Sequence, residues 1–124
     1  MSLPRTLFFG TPDFAVPTLH ALHEAGYPMV GVVTQPDQPV GRKKTLTPPP
    51  VKITAEQYRI PVFQPSTLKD DEFFTTFKNL DPELCIVVAY GNLSPQRYLE
   101  IPRHGFVNIH PSLLPRYRGP SPVQ

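Results

Sequence analysis

The sequence contains a single cysteine, Cys85, among its 124 residues. One thiol cannot form an intramolecular disulfide, and it offers no paired cysteine ligands for a metal. We expect Cys85, which falls in an apolar run, to be a small core residue. The sequence also lacks long apolar segments: only a short run follows Arg5, and none approaches the length of a membrane-spanning helix. Neither export nor membrane insertion is indicated, and we expect a cytoplasmic protein.

Net charge is also low. The 12 basic and 10 acidic side chains leave a formal charge of +2, which argues against nucleic-acid binding over the whole surface. Three basic residues nevertheless follow one another at Arg42, Lys43 and Lys44. Any contact with RNA is therefore expected to be local.

Two ligand-binding motifs are incomplete. Gly10-Thr11-Pro12 follows an apolar run, but it is not part of a Gly-x-Gly-x-x-Gly sequence, which argues against a dinucleotide cofactor. His20 and His23 are spaced much like metal-ligand pairs, yet no acidic residue completes a zinc motif. We expect both, together with His104, to be surface histidines, and we predict no metal.

Hydrophobic residues make up 40% of the chain, enough to form the core of one domain. Continuous apolar runs predict buried strands, and apolar residues at helical spacing predict helices. The predicted strands are 5–9, 29–33, 62–63, 84–89 and 105–109, and the predicted helices are 13–25, 51–59, 70–80 and 94–99. In the first helix, we expect Asp13 to cap the start, Pro17 to fall in the first turn and Gly26 to follow the end.

The alternation of strands and helices predicts an α/β fold with a doubly wound, mostly parallel, Rossmann-like sheet and a right-handed crossover at each step. We treat residues 1–124 as one domain. Ligands of such sheets bind outside the carboxyl ends of the strands. The strand ends to inspect are therefore Gly10-Thr11-Pro12, Ala89-Tyr90-Gly91 and Asn108-Ile109-His110.

Residues 35–50, between the second strand and the second helix, contain several prolines and the basic triplet, and they show no periodicity. We expect a long exposed loop. In a compact domain a loop of this length is more often functional than accidental, although a disordered surface segment is the alternative.

Asn108 and His110 are two residues apart in a predicted strand, so their side chains should project from the same face, about 7 Å apart. Imidazole can transfer a proton near neutral pH, and an amide can donate to an oxygen that gains negative charge. The pair suits acyl transfer to an amine. An isolated Asn-x-His at a strand end is nevertheless structural more often than catalytic.

The surrounding sequence favours the catalytic interpretation. Asn108-Ile109-His110-Pro111-Ser112-Leu113-Leu114-Pro115, followed by Arg118-Gly119, resembles the signature of the folate-dependent formyltransferases. Within this family, Phe9 to Ala15, Thr34 to Lys52 and Val88-Ala89-Tyr90-Gly91 are similar to the branch that acts on methionyl-tRNA. The resemblance covers nearly the whole chain, from Leu7 to Gln124.

The resemblance implies transfer of a formyl group from 10-formyltetrahydrofolate to the amine of initiator methionyl-tRNA. Asn108 would donate to the tetrahedral oxyanion, and His110 would stabilise it or move a proton. The implied folate-binding residues are Val88, Ala89, Tyr90, Gly91, Ser112, Leu113, Leu114 and Pro115. The implied substrate-binding residues are Thr11, Pro12, Phe14, Arg42, Lys43 and Lys44. The residues alone, without the resemblance, favour an ordinary strand end at 88–91 with Tyr90 packed on the core. Leu113 and Leu114 either line the pocket or fill the core.

The resembling enzymes complete their site with an aspartate further along the chain, which orients the histidine as a carboxylate does in other acyl-transfer sites. This sequence ends at Gln124 without supplying it. We therefore expect a truncated catalytic domain that has little or no activity by itself. We also expect exposed apolar surface where later strands would pack, with self-association through that edge.

Two other functions fit the same residues. One is a folate-dependent formyltransferase that acts on the amine of a sugar nucleotide or a ribotide, although a small substrate does not require a long basic insertion. The other is a folate- or RNA-binding module that retains the fold without catalysis. An assay with formyl donor and charged initiator tRNA separates this binding module from an enzyme.

Overall fold

The computed structural model describes residues 2–91 and 96–110. Five strands form its main sheet: β1 (Thr6–Gly10), β2 (Met29–Val33), β5 (Val62–Phe63), β6 (Leu84–Val88) and β7 (Phe106–Ile109). Their order across the sheet is β5-β2-β1-β6-β7, and every neighbouring pair is parallel. A second, two-stranded antiparallel sheet consists of β3 (Gln38–Val40) and β4 (Thr45–Thr47).

Helices cover both faces of the five-stranded sheet. They are α1 (Val16–Glu24), α2 (Pro50–Gln57), α3 (Asp71–Leu80) and α4 (Gln96–Leu99). Leu19 of α1 and Val51 of α2 pack in one core cluster with Phe8. Phe77 of α3 and Tyr98 of α4 pack in the other with Phe9. The predicted doubly wound α/β fold is confirmed.

The central strand β1 is buried over its whole length. Its side chains alternate between the two clusters, because successive residues of a strand point to opposite faces. Both faces are covered by helices, which favours apolar residues at consecutive positions. This explains why the run at 7–9 is continuous and not alternating.

The first helix begins later than predicted, and Asp13 does not cap it. Asp13–Ala15 form a 3-10 turn, and α1 starts at Val16 without a side-chain cap. Pro17 has no N–H, so it cannot make the α-helical hydrogen bond to the carbonyl of Asp13. That carbonyl accepts from the amide of Val16 instead, in the tighter 3-10 pattern. Gly26 ends the helix as predicted, with φ at +86°.

The expectation of an irregular loop over residues 35–50 was wrong in its centre. Strands β3 and β4 pair there, with Val40 opposite Thr45. The turn between them carries the basic triplet, and the amide of Lys44 donates to the carbonyl of Gly41 at 3.2 Å. Residues 38–47 are called the basic hairpin below. Both of its strands are exposed, as the prediction required.

Candidate functional site

The carboxyl ends of β1 and β6 lie side by side at the centre of the sheet, where Gly10 pairs with Val88. The next two strands of this sheet after β1, β2 and β5, lie on one side of β1. The strand after β6, β7, lies on the other side. The loops after these two strands therefore diverge and open a crevice between them, as at the switch point of other doubly wound sheets. Thr11, Pro12 and residues 89–91 follow these strand ends.

Gly10 allows the two strand ends to approach closely. A Cβ on Gly10 would lie 2.7 Å from the ring of Phe8 and 3.0 Å from the carbonyl oxygen of Val88. Phe8 is fully buried and cannot move its ring aside. A side chain at this position would therefore displace the turn that begins the crevice.

The end of β6 has an unusual backbone. Ala89 has φ at +51°, a left-handed conformation that a residue with a Cβ adopts at a cost of about 1–2 kcal/mol, and Gly91 has φ at +124°. Such conformations are often found where a backbone is shaped to meet a ligand. The turn is thus consistent with a strand end that binds a ligand.

The ring of Tyr90 packs into the core and does not line the crevice. It is 4% exposed and meets Phe9 edge-on with the ring centroids 5.4 Å apart. Burial, and secondarily the nearby Tyr98, raise the pKa of Tyr90 to about 12. Its carbonyl oxygen accepts from Nε2 of Gln35 at 2.9 Å. Any contribution of Tyr90 to binding therefore comes from its backbone.

Asn108 lies on β7 beside the end of β6. It pairs with Val87, and Phe106, two residues earlier, packs in the cluster that contains Val87 and Tyr90. Ile109, between Asn108 and His110, packs against the opposite cluster. Because side chains alternate along a strand, Asn108 is on the same face as Tyr90. Its side chain is exposed, so it is not sealed from a ligand.

His110 follows β7 directly and is also exposed. Val88 is paired with Ile109, the residue before it, so His110 lies at the same edge of the sheet as the turn after β6. The structure thus brings Asn108, His110 and residues 88–91 to one edge. Their predicted roles in catalysis and folate binding stay predictions.

Thr11 connects the loop after β1 to two other elements. Its Oγ1 accepts from the amide of Gln35 at 3.4 Å and lies 3.5 Å from Oγ1 of the fully buried Thr34. Its carbonyl accepts from the amide of Val51 in α2 at 3.3 Å. Pro12 is partly buried and Phe14 is exposed on the same turn. Of these predicted substrate-binding residues, Phe14 offers the most open surface.

A polar cluster joins the crevice to the basic hairpin. Nε2 of Gln64, the residue after β5, donates to the carbonyl of Gln35 at 3.1 Å and to Oδ1 of Asp37 at 2.7 Å. Neither acceptor can donate, so the amide orientation follows from its partners. Gln35 in turn holds the Tyr90 carbonyl, which links the outermost strand of the sheet to its centre.

Asp37 is the charged member of this cluster. Nζ of Lys52 lies 3.1 Å from its Oδ1 and 3.4 Å from its Oδ2. The hydrogen bond from Gln64, followed by that from Lys52, lowers the pKa of Asp37 below its ordinary value of 3.8, although desolvation opposes the shift. The carboxyl is therefore ionised at neutral pH and attracts both partners.

Arg42, Lys43 and Lys44 occupy the tip of the basic hairpin and are exposed. Among the described residues, the ion pairs of the structure involve other side chains. Val40 and Leu46, at 54% and 67% exposure, flank the tip. The hairpin thus presents both charge and apolar surface to solvent.

The histidines of α1 contact an aromatic side chain. Nδ1 of His20 hydrogen-bonds the hydroxyl of Tyr58, and His23 stacks on the Tyr58 ring with centroids 3.8 Å apart. His20 is exposed as expected, whereas His23 is half-buried by this stack. No group of His, Cys, Asp and Glu that could hold a metal occurs within residues 2–91 and 96–110. Cys85 is buried in β6, as predicted.

Some predicted positions lie outside the described residues. These are Ser112, Leu113, Leu114 and Pro115 of the implied folate site, Arg118 and Gly119 of the signature, and Ser94, where α4 was expected to begin. None of the helices within residues 2–91 and 96–110 combines the length and the apolar composition of a membrane-spanning segment.

The sequence predictions missed Gln35, Asp37, Lys52 and Gln64 as members of a site. Gln35 and Gln64 each come shortly after a strand of the parallel sheet, so their position at its carboxyl edge could have been inferred from the strand predictions. Nothing local indicates that Gln64 contacts Asp37, because the pair is separated by 27 residues.

A doubly wound parallel sheet with polar groups at its switch point defines the class of α/β proteins that bind ligands at the carboxyl edge of the sheet. Residues 5–124 match the protein family described as Formyl transferase, and the chain belongs to that family.

Curated relatives carry a more specific name. A methionyl-tRNA formyltransferase of Geobacter metallireducens is 55% identical over 117 residues, which cover 94% of this chain and 38% of the relative. Proteins of the same name from Halalkalibacterium halodurans and Chloroflexus aurantiacus are 50% and 56% identical over 119 residues, again covering 96% of this chain and 38% of each relative. The chain thus spans little more than a third of the length of these relatives.

Proposed function

We propose that the protein carrying this sequence transfers a formyl group from 10-formyltetrahydrofolate to the amine of initiator methionyl-tRNA. One observation carries the proposal: exposed Asn108 pairs with Val87 next to the left-handed turn after β6. This places an amide donor at the switch-point edge of a chain whose relatives, at 50–56% identity, are named for this reaction.

In the proposed reaction the amine nitrogen attacks the formyl carbon of the donor. A carbon–nitrogen bond forms, the carbonyl electron pair moves to oxygen, and the resulting tetrahedral oxyanion collapses with departure of the folate nitrogen. Asn108 donates a hydrogen bond to the oxyanion, and His110 takes up the proton that the amine loses or stabilises the same oxygen. An aspartate elsewhere in the protein would orient His110.

Two features support binding of the folate. The backbone of residues 88–91 ends a buried strand in a turn with positive φ at Ala89 and Gly91, at the same edge of the sheet as Asn108. A Cβ on Gly91 would lie 3.3 Å from Nε2 of Gln35, so this glycine also leaves room for the amide that holds Tyr90. Ser112, Leu113, Leu114 and Pro115 complete the proposed folate site.

Arg42, Lys43 and Lys44 provide the proposed tRNA contact, with Thr11, Pro12 and Phe14 next to the methionyl end. Mobile cations on an exposed hairpin can neutralise phosphates, and Arg can also donate in pairs or stack. The basic hairpin favours tRNA over the amine of a sugar nucleotide or a ribotide, which has no extended phosphate backbone to bind. Translation initiation in the cytoplasm is the corresponding cellular role, and residues 1–124 form part of the catalytic domain.

Replacement of Asn108 tests the proposal. In the protein that carries this sequence, Asn108→Ala should lower kcat for formylation of charged initiator tRNA by about 100- to 1000-fold, because one oxyanion donor is lost. Asn79→Ala is the matched control: the same amide is removed from an exposed position of α3, close to the start of β6. A near-normal rate for Asn108→Ala contradicts the assigned role.

Assays with other acceptors separate the remaining functions. Formylation of a sugar-nucleotide or ribotide amine in preference to methionyl-tRNA would support the small-substrate alternative. Binding of folate or tRNA with no turnover, in a protein as long as the relatives, would support a non-catalytic module. Sedimentation of the 124-residue chain would test the expected self-association.

A further inference from the structure

We propose that Asp37 and Gln64 are positioning residues that fix the direction in which the basic hairpin leaves the sheet. The inference rests on the proposed contact between this hairpin and tRNA. It assigns a role to two side chains that themselves lie away from the basic tip.

The basic hairpin needs an external support. It has two strands of three residues each, both exposed. An isolated two-stranded hairpin is at best marginally stable in water. Its orientation therefore depends on the contacts at its base, where the chain enters and leaves.

Asp37 and Lys52 close that base. Asp37 immediately precedes β3, and Lys52 is in the first turn of α2, which follows β4. Their ion pair thus joins the segment entering the hairpin to the segment leaving it. The two side chains are only 30% and 21% exposed, so this pair is less screened than one on the open surface.

Gln64 fixes the closed base to the sheet. It directly follows β5, and its Nε2 bonds both Asp37 and the carbonyl of Gln35. The two N–H groups of the amide thus donate to two residues of the segment that enters the hairpin. Because β5 is part of the five-stranded sheet, the hairpin base is held in a fixed relation to the crevice.

Charge makes the proposal testable. Asp37→Asn removes one negative charge from the base of the basic hairpin, so a purely electrostatic effect would strengthen RNA binding. Loss of positioning predicts the opposite: Kd for initiator tRNA should rise about five- to tenfold, the effect of losing roughly 1 kcal/mol or somewhat more. The sign of the change distinguishes the two explanations.

Three further variants extend the experiment. Gln64→Met keeps the length of the side chain and the net charge but removes both donors, and it should weaken tRNA binding to a similar degree. Glu24→Gln adds the same unit of charge as Asp37→Asn at an exposed position near the start of β2, at the opposite edge, and should leave Kd unchanged or slightly lower. Because the two residues share one contact, the double variant Asp37→Asn, Gln64→Met should lose less affinity than the sum of the two single losses, and an additive loss would contradict joint action.

All affinities are measured well below the melting temperature of each variant, so that a general loss of stability would not change Kd. If Asp37→Asn binds tRNA as tightly as Glu24→Gln, the positioning role is overturned. A variant with Arg42, Lys43 and Lys44 replaced by Gln provides the reference. If the triplet matters but Asp37 and Gln64 do not, only this inference fails. If the triplet has no effect, the proposed tRNA contact fails and the positioning role fails with it.

Discussion

Single residues shape the crevice through their backbones more than through their side chains. Gly10 allows β1 to end against β6, and Ala89 turns the chain at the end of β6 with a positive φ. Asn108 could be predicted as a site residue from the sequence, because its motif is long and local, and its role stays a prediction. Gln64 could not be identified in this way, since its partners Gln35 and Asp37 are brought to it only by the fold.

Replacement of Gly10 provides a test at this scale. Gly10→Ala should lower the free energy of unfolding by about 1–3 kcal/mol, because the added methyl group overpacks a closed part of the core. It should also weaken folate binding by shifting the turn at Thr11. Gly26→Ala is the control: with φ at +86° and no atom within 4 Å of the added Cβ, it strains the backbone far from the crevice. Denaturant unfolding and folate titration measure both effects, and an unchanged unfolding free energy for Gly10→Ala contradicts the packing argument.

At the scale of elements, the central strands β1, β2 and β6 were predictable because they are largely buried and therefore rich in consecutive apolar residues. The basic hairpin was not, because its strands are exposed and lack that pattern. Gly41, with φ at +81°, followed by the β-favouring Thr45-Leu46-Thr47, was the available signal. The start of α1 shifted because Pro17 has no N–H to donate to the carbonyl of Asp13, which accepts from the amide of Val16 instead.

The contacts of Asp37 that anchor the basic hairpin should weaken only at low pH. Since the pKa of Asp37 is lower in the folded protein than its ordinary value of 3.8, its ionised form is the one that folding favours. Its stabilising effect is fully present above that value and is lost as the pH falls through the lower, folded pKa. NMR signals of the Gln64 side-chain amide should therefore stay constant down to about pH 4 and shift only below it. This shift of the Gln64 signals should be absent in Asp37→Asn. A shift that begins above about pH 4 would contradict the assigned contacts.

For the whole molecule, the small net charge of +2 conceals an uneven distribution. Replacing Arg42, Lys43 and Lys44 by Gln should flatten the plot of log K for tRNA against log salt concentration by a slope of about 2 to 3, because three phosphate contacts are lost. Folate affinity should hardly change. Arg59, Lys78 and Arg103 form a matched set: each is exposed and shortly precedes a strand, at the opposite edge of the sheet. An equal loss of slope from that set would mean that net charge, and not the hairpin, governs binding.

The place of β1 in the sheet has a consequence for how the chain folds. Its neighbour β2 follows it in the chain after one α-helix. Its other neighbour, β6, is far away in the chain: Arg5, just before β1, and Glu83, just before β6, are 78 residues apart. Closing the longer loop costs more chain entropy. We therefore expect the β1–α1–β2 unit to assemble early from nearby contacts, and the crevice to exist only after the late encounter that brings β6 to β1.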